Sequence, residues 1–333
     1  DLQADIDKRF IAIDITDMEA LYAASEEIRK MIISAPLPED LEQEMTGAAG
    51  ALEQESGGPV PMALRSSAMG EDSAANSFAG QYHSELNVSL ASLVQTYKEV
   101  VASKYSLTAI TYRLNKGIRD EDIAMSVGCL AMVDARCGGV MYTRNPLDAG
   151  DDSIFINSAW GLPKAVVDGS VDCDLFVVAR TEPLEISRRD IRDKKSRFVC
   201  RTEGGTCRME TVDETVSQPS IRDDEATALA ELAVRMELYY GSPQDVEWAI
   251  DRDGTVYILQ CRPLRQMESG TAEVSDALMQ KARENVLASG GTVICPGIAA
   301  GEVFIVTGPD DMVRFPEGGV LVASQALPLW ASL

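Results

Sequence analysis

Four stretches of the chain carry apolar residues at the i, i+3, i+4 and i+7 spacing that predicts amphipathic helices. The first opens with Thr16 and Glu19, a capping-box pattern, and stops before Pro36. The other three are residues 39–54, the segment that follows Ser89, and residues 223–240. The segment after Ser89 has the most regular pattern, with apolar residues at Leu90, Leu93, Val94, Tyr97, Val100 and Val101.

Between these helices the hydrophobic pattern changes to short apolar or β-branched runs separated by turn residues, which predicts strands. The first run, Val60 to Leu64, follows a Ser-Gly-Gly-Pro break. Later runs cover residues 123–133, 139–143, 153–158 and 174–179, and two more near the end cover residues 302–307 and 318–323. The chain is therefore expected to mix helices and strands.

Residues 245–261 are two alternating runs around Asp251 to Gly254, which predicts a β-hairpin with a four-residue turn. Such a turn pairs Glu247 with Ile258 and Asp245 with Gln260. Because side chains alternate between faces, one face then carries Asp245, Glu247, Gln260 and Arg262. The opposite face carries Val246, Trp248, Ile250, Tyr257 and Leu259 and is expected to be core.

The polar face of this hairpin has two interpretations. A carboxylate and an amide oxygen are hard ligands that suit Mg²⁺, and a neighbouring arginine can bind the phosphates that such a metal bridges. An ordinary solvent-facing side of an antiparallel sheet has the same composition. The residues alone favour the second interpretation.

Composition changes the picture by excluding several classes of partner. With 53 acidic and 30 basic residues the net charge is −23, so the overall field repels nucleic acids and anionic membranes. The 45% of hydrophobic residues suits a globular protein with a core, and 333 residues suit two or three domains. We expect no nucleic-acid or membrane partner.

The cysteines point to a reducing compartment. The chain has seven, an odd number, without a close C-x-x-C pair, which indicates neither a zinc site nor a disulfide framework. No apolar stretch approaches the roughly 20 residues that span a bilayer, and no signal segment opens the chain. We expect a soluble, cytoplasmic protein.

The most distinctive polar stretch follows the first predicted strand. Arg65 stands beside Ser66 and Ser67, and a guanidinium with hydroxyls offers forked donors to phosphate oxygens. A capped turn in which Arg65 pairs with Glu71 or Asp72 explains the same residues equally well.

The pattern R-S-S-x-x-x-E-D, followed by S-F-A-G-Q at residues 77–81, resembles the nucleotide-binding domain of phosphoenolpyruvate synthases and pyruvate phosphate dikinases. Further blocks in the same order resemble that family over roughly residues 60–333. They are Tyr112-Arg113, residues 139–146, 158–162, 245–249 and 259–263.

The resemblance implies an α+β fold: an ATP-grasp-like nucleotide-binding domain followed by the beginning of a swivelling β/β/α phosphohistidine domain. The expected divisions are a first ATP-grasp subdomain at 1–88, a second at 89–266, a linker at 267–289 and a truncated phosphohistidine domain at 290–333. The chain does not begin with Met, and we expect it to be part of a longer protein whose phosphohistidine lies beyond Leu333. The single histidine, His83, is not expected to be the phosphoacceptor.

The resemblance also implies roles for individual residues. Arg65 and Arg262 are the catalytic candidates, and Glu247 and Gln260 are the candidate ligands of Mg²⁺. The residues implied to bind ATP are Arg65, Met132, Val133, Thr143, Lys164, Glu247, Gln260 and Arg262, of which Met132 and Val133 mark the adenine-side hinge.

The function implied is the ATP- and Mg²⁺-binding portion of a pyruvate, water dikinase, with pyruvate bound by another domain and a homodimer as a possible assembly. The alternatives are a phosphate-dependent dikinase, a phosphotransferase with another acceptor and a non-catalytic nucleotide sensor. The last is supported by two departures from the family pattern: Leu130 replaces a Gln, and Pro163-Lys164 replaces Gly-Glu.

Overall fold

The computed structural model describes residues 2–11, 17–69, 81–211, 214–266, 299–307, 311 and 314–323. Helices and strands are mixed along the chain, as the α+β prediction requires. The helices of the described part are α1 (Leu2–Ile11), α2 (Met18–Ser34), α3 (Glu39–Glu55), α4 (Leu93–Ala102), α5 (Leu107–Lys116), α6 (Lys164–Val167) and α7 (Asp223–Tyr240).

Three strands form a first antiparallel sheet, in the order β2-β1-β3. They are β1 (Met62–Ala68), β2 (Glu85–Val88) and β3 (Met125–Ala131). Six strands form a second sheet in the order β11-β10-β4-β5-β6-β7, in which every neighbouring pair is antiparallel. They are β4 (Ala135–Tyr142), β5 (Ile154–Trp160), β6 (Asp174–Ala179), β7 (Glu185–Asp190), β10 (Gln244–Asp251) and β11 (Val256–Pro263).

Two small sheets complete the described part. The hairpin β8 (Ser196–Cys200) and β9 (Thr206–Glu210) is antiparallel. The strands β12 (Val303–Val306) and β13 (Val320–Ala323) are parallel neighbours and confirm the two strands predicted near the end. The predicted linker 267–289 lies outside the described residues. No helix within the described ranges is long and apolar enough to cross a membrane.

The main core lies between α7 and one face of the six-stranded sheet. Trp248 and Ile250 of β10 are fully buried there against Leu229 and Ala233 of α7 and Ile156 of β5. Burial of each large apolar side chain is worth roughly 1.5–3 kcal/mol. Since alternate residues of β10 are committed to this core, Asp245 and Glu247 necessarily lie on the other face.

The N-terminal helices build separate clusters around the first sheet. Leu21, Ile28 and Ile32 of α2 pack against Tyr105 and Ile110. Residues from α3 and α4 pack on β1. The first sheet and the helices packed on it come from residues up to Ala131, and the predicted subdomain boundaries at residues 88 and 266 stay predictions.

Two predictions about local structure were wrong. The side chain of Asp17, one residue after the predicted cap, accepts from the N–H groups of Glu19 and Ala20 and caps α2. Tyr257 is 40% exposed and Leu259 lies outside the core cluster, although both were predicted to be core. The turn is one residue longer than predicted, so Val256 takes the core side. Thr16 lies outside the described residues.

Candidate functional site

The outer face of the hairpin β10–β11 brings together the four polar residues that the sequence placed on one face. Glu247 lies directly opposite Gln260, and Asp245 lies directly opposite Arg262. Directly opposed residues of an antiparallel pair have Cβ atoms about 4.5–5.5 Å apart. The predicted grouping is confirmed, although the register that produces it is different.

Two irregularities set the actual register. Ile250 pairs with Val256, so the turn is one residue longer than predicted, and a bulge between Glu247 and Trp248 leaves Leu259 without a partner in the ladder. Either offset alone would turn Gln260 away from Glu247, because a one-residue shift exchanges the faces of a strand. Together they shift the pairing by two residues, and the polar face is retained.

Arg65 reaches this face from the other sheet. Its Nη2 lies 2.6 Å from Glu247 Oε2, and its Nη1 donates to the Leu259 carbonyl at 3.4 Å. That carbonyl belongs to the bulged residue, and bulges commonly re-aim groups beside functional sites. The side chains of Arg65 and Glu247 remain 27% and 19% exposed, so both are accessible to a ligand.

A second ion pair extends the site along the hairpin. Arg262 donates through Nε and Nη2 to Asp245 Oδ2 at 2.9 and 2.7 Å. Tyr142 lies opposite Asp245 on the neighbouring strand β4. Burial, and after it the Asp245 carboxylate, raise the pKa of the Tyr142 hydroxyl, so it remains protonated near neutral pH and can donate a hydrogen bond.

The site therefore contains two guanidinium groups, two carboxylates and an amide on facing or neighbouring strands. Within the described ranges, no group of three or more His, Cys, Asp or Glu residues could hold a metal ion by itself. Mg²⁺ commonly uses only one or two carboxylates, with phosphate oxygens and water as its other ligands. Glu247 with the Gln260 amide oxygen fits that chemistry.

Thr143, a candidate ATP-binding residue, immediately follows β4 and is fully buried. Its hydroxyl accepts from the Gln244 N–H at 2.8 Å, and its own N–H donates to the Gln244 carbonyl at 2.9 Å. Arg180 also donates to the Thr143 carbonyl at 2.6 Å. These contacts fix Gln244 at the start of β10, one position before Asp245 and three before Glu247.

Met132 and Val133 lie in the three-residue connection between β3 and β4, where the chain passes from the first sheet to the second. Both side chains are half-buried. The Met132 N–H donates to the Pro61 carbonyl, and the Val133 carbonyl accepts from Ala135. The structure thus places the two predicted hinge residues between the two sheets, while their contact with adenine stays a prediction.

Lys164 begins α6, which packs over the outer face of β4. A Cβ on Gly138 would lie 2.9 Å from the Pro163 ring, so the glycine permits this close approach. The ammonium group of Lys164 lies 2.7 Å from Asp168 Oδ2, within its own short helix, and the side chain is 39% exposed. Lys164 is thus not drawn into the Arg65–Glu247 cluster, and its role in ATP binding stays a prediction.

Of the other residues that the sequence singled out, some lie outside the described ranges, and His83 and Leu130 are exposed. Residues 70–80, which carry most of the family signature, lie outside the described ranges. His83 pairs with Glu85 at 3.1 Å, and both are well exposed. Leu130, one of the two departures, is 41% exposed on β3.

The structure adds residues that were not among the predicted site residues. Asp245 accepts hydrogen bonds from Arg262, and Tyr142 lies on the same face of the sheet. The alternation of Gly138, Val140 and Tyr142 along β4 could have predicted the position of Tyr142. Asn87 contacts the hinge, because its N–H donates to Met132 Sδ at 2.8 Å. Nothing in the local pattern around Asn87 indicated that contact.

Comparison with known proteins adds an independent finding. The family model of the pyruvate phosphate dikinase, AMP/ATP-binding domain, matches residues 1–283. The chain is 34% identical to the phosphoenolpyruvate synthase of Deinococcus radiodurans over an alignment of 337 positions, which covers 99% of this chain and 42% of that protein. It is 35% identical over 322 residues to the probable phosphoenolpyruvate synthase of Methanocaldococcus jannaschii. This alignment covers 95% of this chain and 26% of that protein.

A third relative is the phosphoenolpyruvate synthase of Neisseria meningitidis serogroup B, which is 32% identical over an alignment of 339 positions. These cover 96% of this chain and 42% of that protein. The chain spans less than half the length of each of the three relatives.

Proposed function

Because the chain belongs to the pyruvate phosphate dikinase AMP/ATP-binding family, we propose that it is the ATP- and Mg²⁺-binding portion of a pyruvate, water dikinase. Such an enzyme converts ATP, pyruvate and water into AMP, phosphoenolpyruvate and phosphate. The observation that carries the proposal is the contact of Arg65, from the first sheet, with Glu247 on the hairpin of the second. It joins a guanidinium of the first sheet to a carboxylate of the second, and that carboxylate is the proposed ligand of Mg²⁺.

The fold proposed for this arrangement is ATP-grasp-like, with the nucleotide between the two sheets. Met132 and Val133 would lie beside the adenine, at the connection between the sheets. Arg65 lies three residues along β1 from Met62, the residue that pairs with Ala131 just before the connection. A strand rises about 3.3 Å per residue, so Met62 and Arg65 are about 10 Å apart along β1. This distance suits a nucleotide whose base and terminal phosphates lie at opposite ends of the site.

Glu247 and Gln260 would hold Mg²⁺, which neutralises phosphate charge when it is bound. Arg65 and Arg262 are the cations that would meet phosphate oxygens, since a guanidinium presents forked donors to them. Each is now paired with a carboxylate, which keeps it oriented toward the site. A negatively charged ligand would compete with those carboxylates for the same donors.

The full reaction is proposed to require other parts of the protein. A phosphohistidine domain would begin near β12 and β13, and pyruvate would bind in a third domain. The assembly is proposed to be a cytoplasmic homodimer. With the overall charge of −23, a nucleic acid is not among the proposed partners.

The test is product analysis on the full-length protein with ATP, Mg²⁺ and pyruvate. AMP and phosphoenolpyruvate should form without added phosphate. Formation dependent on phosphate would indicate a phosphate-dependent dikinase, and ADP in place of AMP would contradict the dikinase assignment. Calorimetric binding of Mg-ATP to the 333-residue chain would separately test the nucleotide site, and no binding would refute it.

A further inference from the structure

The turn between β8 and β9 rests on the first sheet through Asn87. The Asn87 side-chain amide donates to the carbonyls of Arg201 and Gly205 at 2.6 and 2.8 Å. The Gly205 N–H donates back to the Asn87 carbonyl at 3.2 Å. Three hydrogen bonds therefore join residues more than 100 positions apart in the chain, at the tip of the hairpin.

Both sides of this contact adopt backbone conformations that few residues accept. Asn87 has φ of 60° and is buried, while Gly204 and Gly205 have φ of 100° and 68°. The left-handed region is disfavoured for residues with a Cβ, and Asn is among the few that visit it routinely. A conformation that is costly by itself persists when surrounding contacts determine it.

The middle of β8 is attached to the residues that follow β5 of the second sheet. The Leu162 N–H donates to the Phe198 carbonyl at 3.0 Å, and Gly161 forms an isolated bridge with Phe198. Gly161 has φ of 80°, and a Cβ on it would lie 2.3 Å from the Phe198 oxygen, so only glycine allows this attachment. The hairpin β8–β9 thus connects β5 of the second sheet with β2 of the first.

This connection lies beside the hinge between the sheets. The Asn87 N–H donates to Met132 Sδ at 2.8 Å, and the next residue, Val88, pairs with Met62 at the hinge end of β1. Cys200, at the end of β8, is close enough to Asp134 that the carboxylate contributes, after burial, to raising the pKa of its thiol. The hairpin therefore flanks residues 132–134.

We propose that Asn87 is a positioning residue for the part of the site that binds the nucleoside. This role rests on the proposed function. By holding the turn 201–205 and Met132 together, Asn87 sets the separation of the two sheets at the base end. The phosphate end depends instead on Arg65, Glu247 and Arg262, none of which contacts Asn87 among the hydrogen bonds of the described residues. Asn87 should affect affinity for the base and ribose without affecting the triphosphate.

The variant that tests this is Asn87→Gly, because glycine keeps the left-handed backbone and removes only the side-chain amide. Mg-ATP and Mg-tripolyphosphate, which lacks the nucleoside, are titrated calorimetrically into the 333-residue chain. The loss of two hydrogen bonds should weaken ATP binding about tenfold, the factor that corresponds to 1.4 kcal/mol. Binding of tripolyphosphate should change less than about twofold, a shift well below that factor.

Two further variants control the result. Asn87→Asp keeps the shape of the side chain and the tolerance of the left-handed region, but it places a carboxylate oxygen, which cannot donate, against the two carbonyls. If Asn87→Gly does not fold, Asn87→Asp should show the same loss of ATP affinity with unchanged tripolyphosphate affinity. Thr202→Ala changes an exposed residue of the same turn and should leave both affinities unchanged.

The outcomes separate the two proposals. Equal weakening of both ligands, or of neither, in the Asn87 variants overturns the positioning role while the ATP site stands. A wild-type chain that binds neither ligand refutes the nucleotide site itself and the positioning role with it. If the Asn87 variants have a lower melting temperature but keep their affinity for ATP, Asn87 has only a structural role.

Discussion

At the scale of single residues, the charged groups of the site contribute little to the stability of the fold. Arg65 and Glu247 are each about a fifth to a quarter exposed, and pairs that water can screen are worth about 0–1 kcal/mol. Their orientation matters more than their energy. The Leu259 carbonyl is a second acceptor for Arg65, and the Asp245 carboxylate accepts from Nε and Nη2 of Arg262, so both guanidinium groups are held at the same face.

Glu247 should be the residue on which phosphoryl transfer depends most. Glu247→Ala removes the only carboxylate among the two proposed metal ligands and leaves Arg65 with the Leu259 carbonyl but without its carboxylate partner. We expect AMP formation by the full-length protein to fall at least about 100-fold, as is typical when a metal or transition-state contact is removed. Glu247→Gln keeps the size of the side chain and loses its charge, and it should reduce AMP formation nearly as much.

Glu55→Ala, at the exposed end of α3, is the matched control and should leave AMP formation unchanged. Melting curves of the three variants would show whether the fold is retained. Normal AMP formation by a folded Glu247→Ala protein would remove Glu247 from the proposed mechanism.

At the scale of elements, local hydrogen bonds decide where helices begin. Asp17 caps α2 because its carboxylate accepts two N–H groups that have no partner inside the helix. Thr16 with Glu19 fits the capping-box pattern and Asp17 does not, so the pattern alone selects the wrong residue.

Asp17→Ala should therefore lower the free energy of unfolding by about 1 kcal/mol, the usual effect of losing an N-cap. Thr16→Ala should have a smaller effect, and Asp17→Ser should restore most of the loss, since a hydroxyl can accept the same bonds. The measurement is the urea midpoint of each variant. A larger loss from Thr16→Ala than from Asp17→Ala would reverse the assignment of the cap.

A buried ion pair organises the elements at the far edge of the six-stranded sheet. Lys194 and Asp174 are fully buried, with Nζ 2.7 Å from Oδ1. The second carboxylate oxygen accepts from both the N–H and the hydroxyl of Ser220 at 2.7 Å. The network joins β6 to the segments on either side of the hairpin β8–β9.

Lys194→Met should lower the free energy of unfolding by about 3–5 kcal/mol, because removing one partner leaves a buried carboxylate without its counter-ion. The neighbouring Lys195 is exposed, and Lys195→Met should change the free energy by no more than about 0.5 kcal/mol. Chemical unfolding of both variants provides the comparison. Equal stability of the two would show that the pair contributes nothing.

At the scale of the whole molecule, the described contacts join the two sheets at both ends of the proposed nucleotide site. Arg65 and Glu247 meet at one end, and Asn87 with the turn 201–205 meets at the other. A ligand that contacts both sheets should stabilise the folded state as a unit. At 100 times its Kd, Mg-ATP should add about 2.7 kcal/mol.

A thermal melt of the 333-residue chain with increasing Mg-ATP measures this stabilisation. Glu247→Ala should lose most of the increase in melting temperature, while Glu55→Ala should keep it. A melting temperature that does not respond to Mg-ATP, in a wild-type chain shown to bind it, would mean that the nucleotide binds the unfolded chain as tightly as the folded one.

The sequence by itself determined the elements whose periodicity is local. Helices α2, α3, α4 and α7 and most central strands follow from spacing of 3.6 or 2, because that spacing decides which side chains can be buried together. It also determined that Asp245 and Glu247 share one face of β10 and that Gln260 and Arg262 share one face of β11, since alternation within a strand needs no knowledge of distant partners. That both pairs lie on the same face of the hairpin depended on two register offsets that cancel. The family match over residues 1–283 agrees with the motifs that those elements carry.

Only the tertiary structure decided which distant groups meet. The length of the turn and the bulge at Leu259 have no signature in the alternating pattern, so the predicted register was wrong even though the face was right. The pairing of Arg65 with Glu247 and of Asn87 with Gly205 depends on how the two sheets pack. The physical reason is that periodicity reports the environment of one element, whereas a contact between sheets depends on the path of all the chain between them.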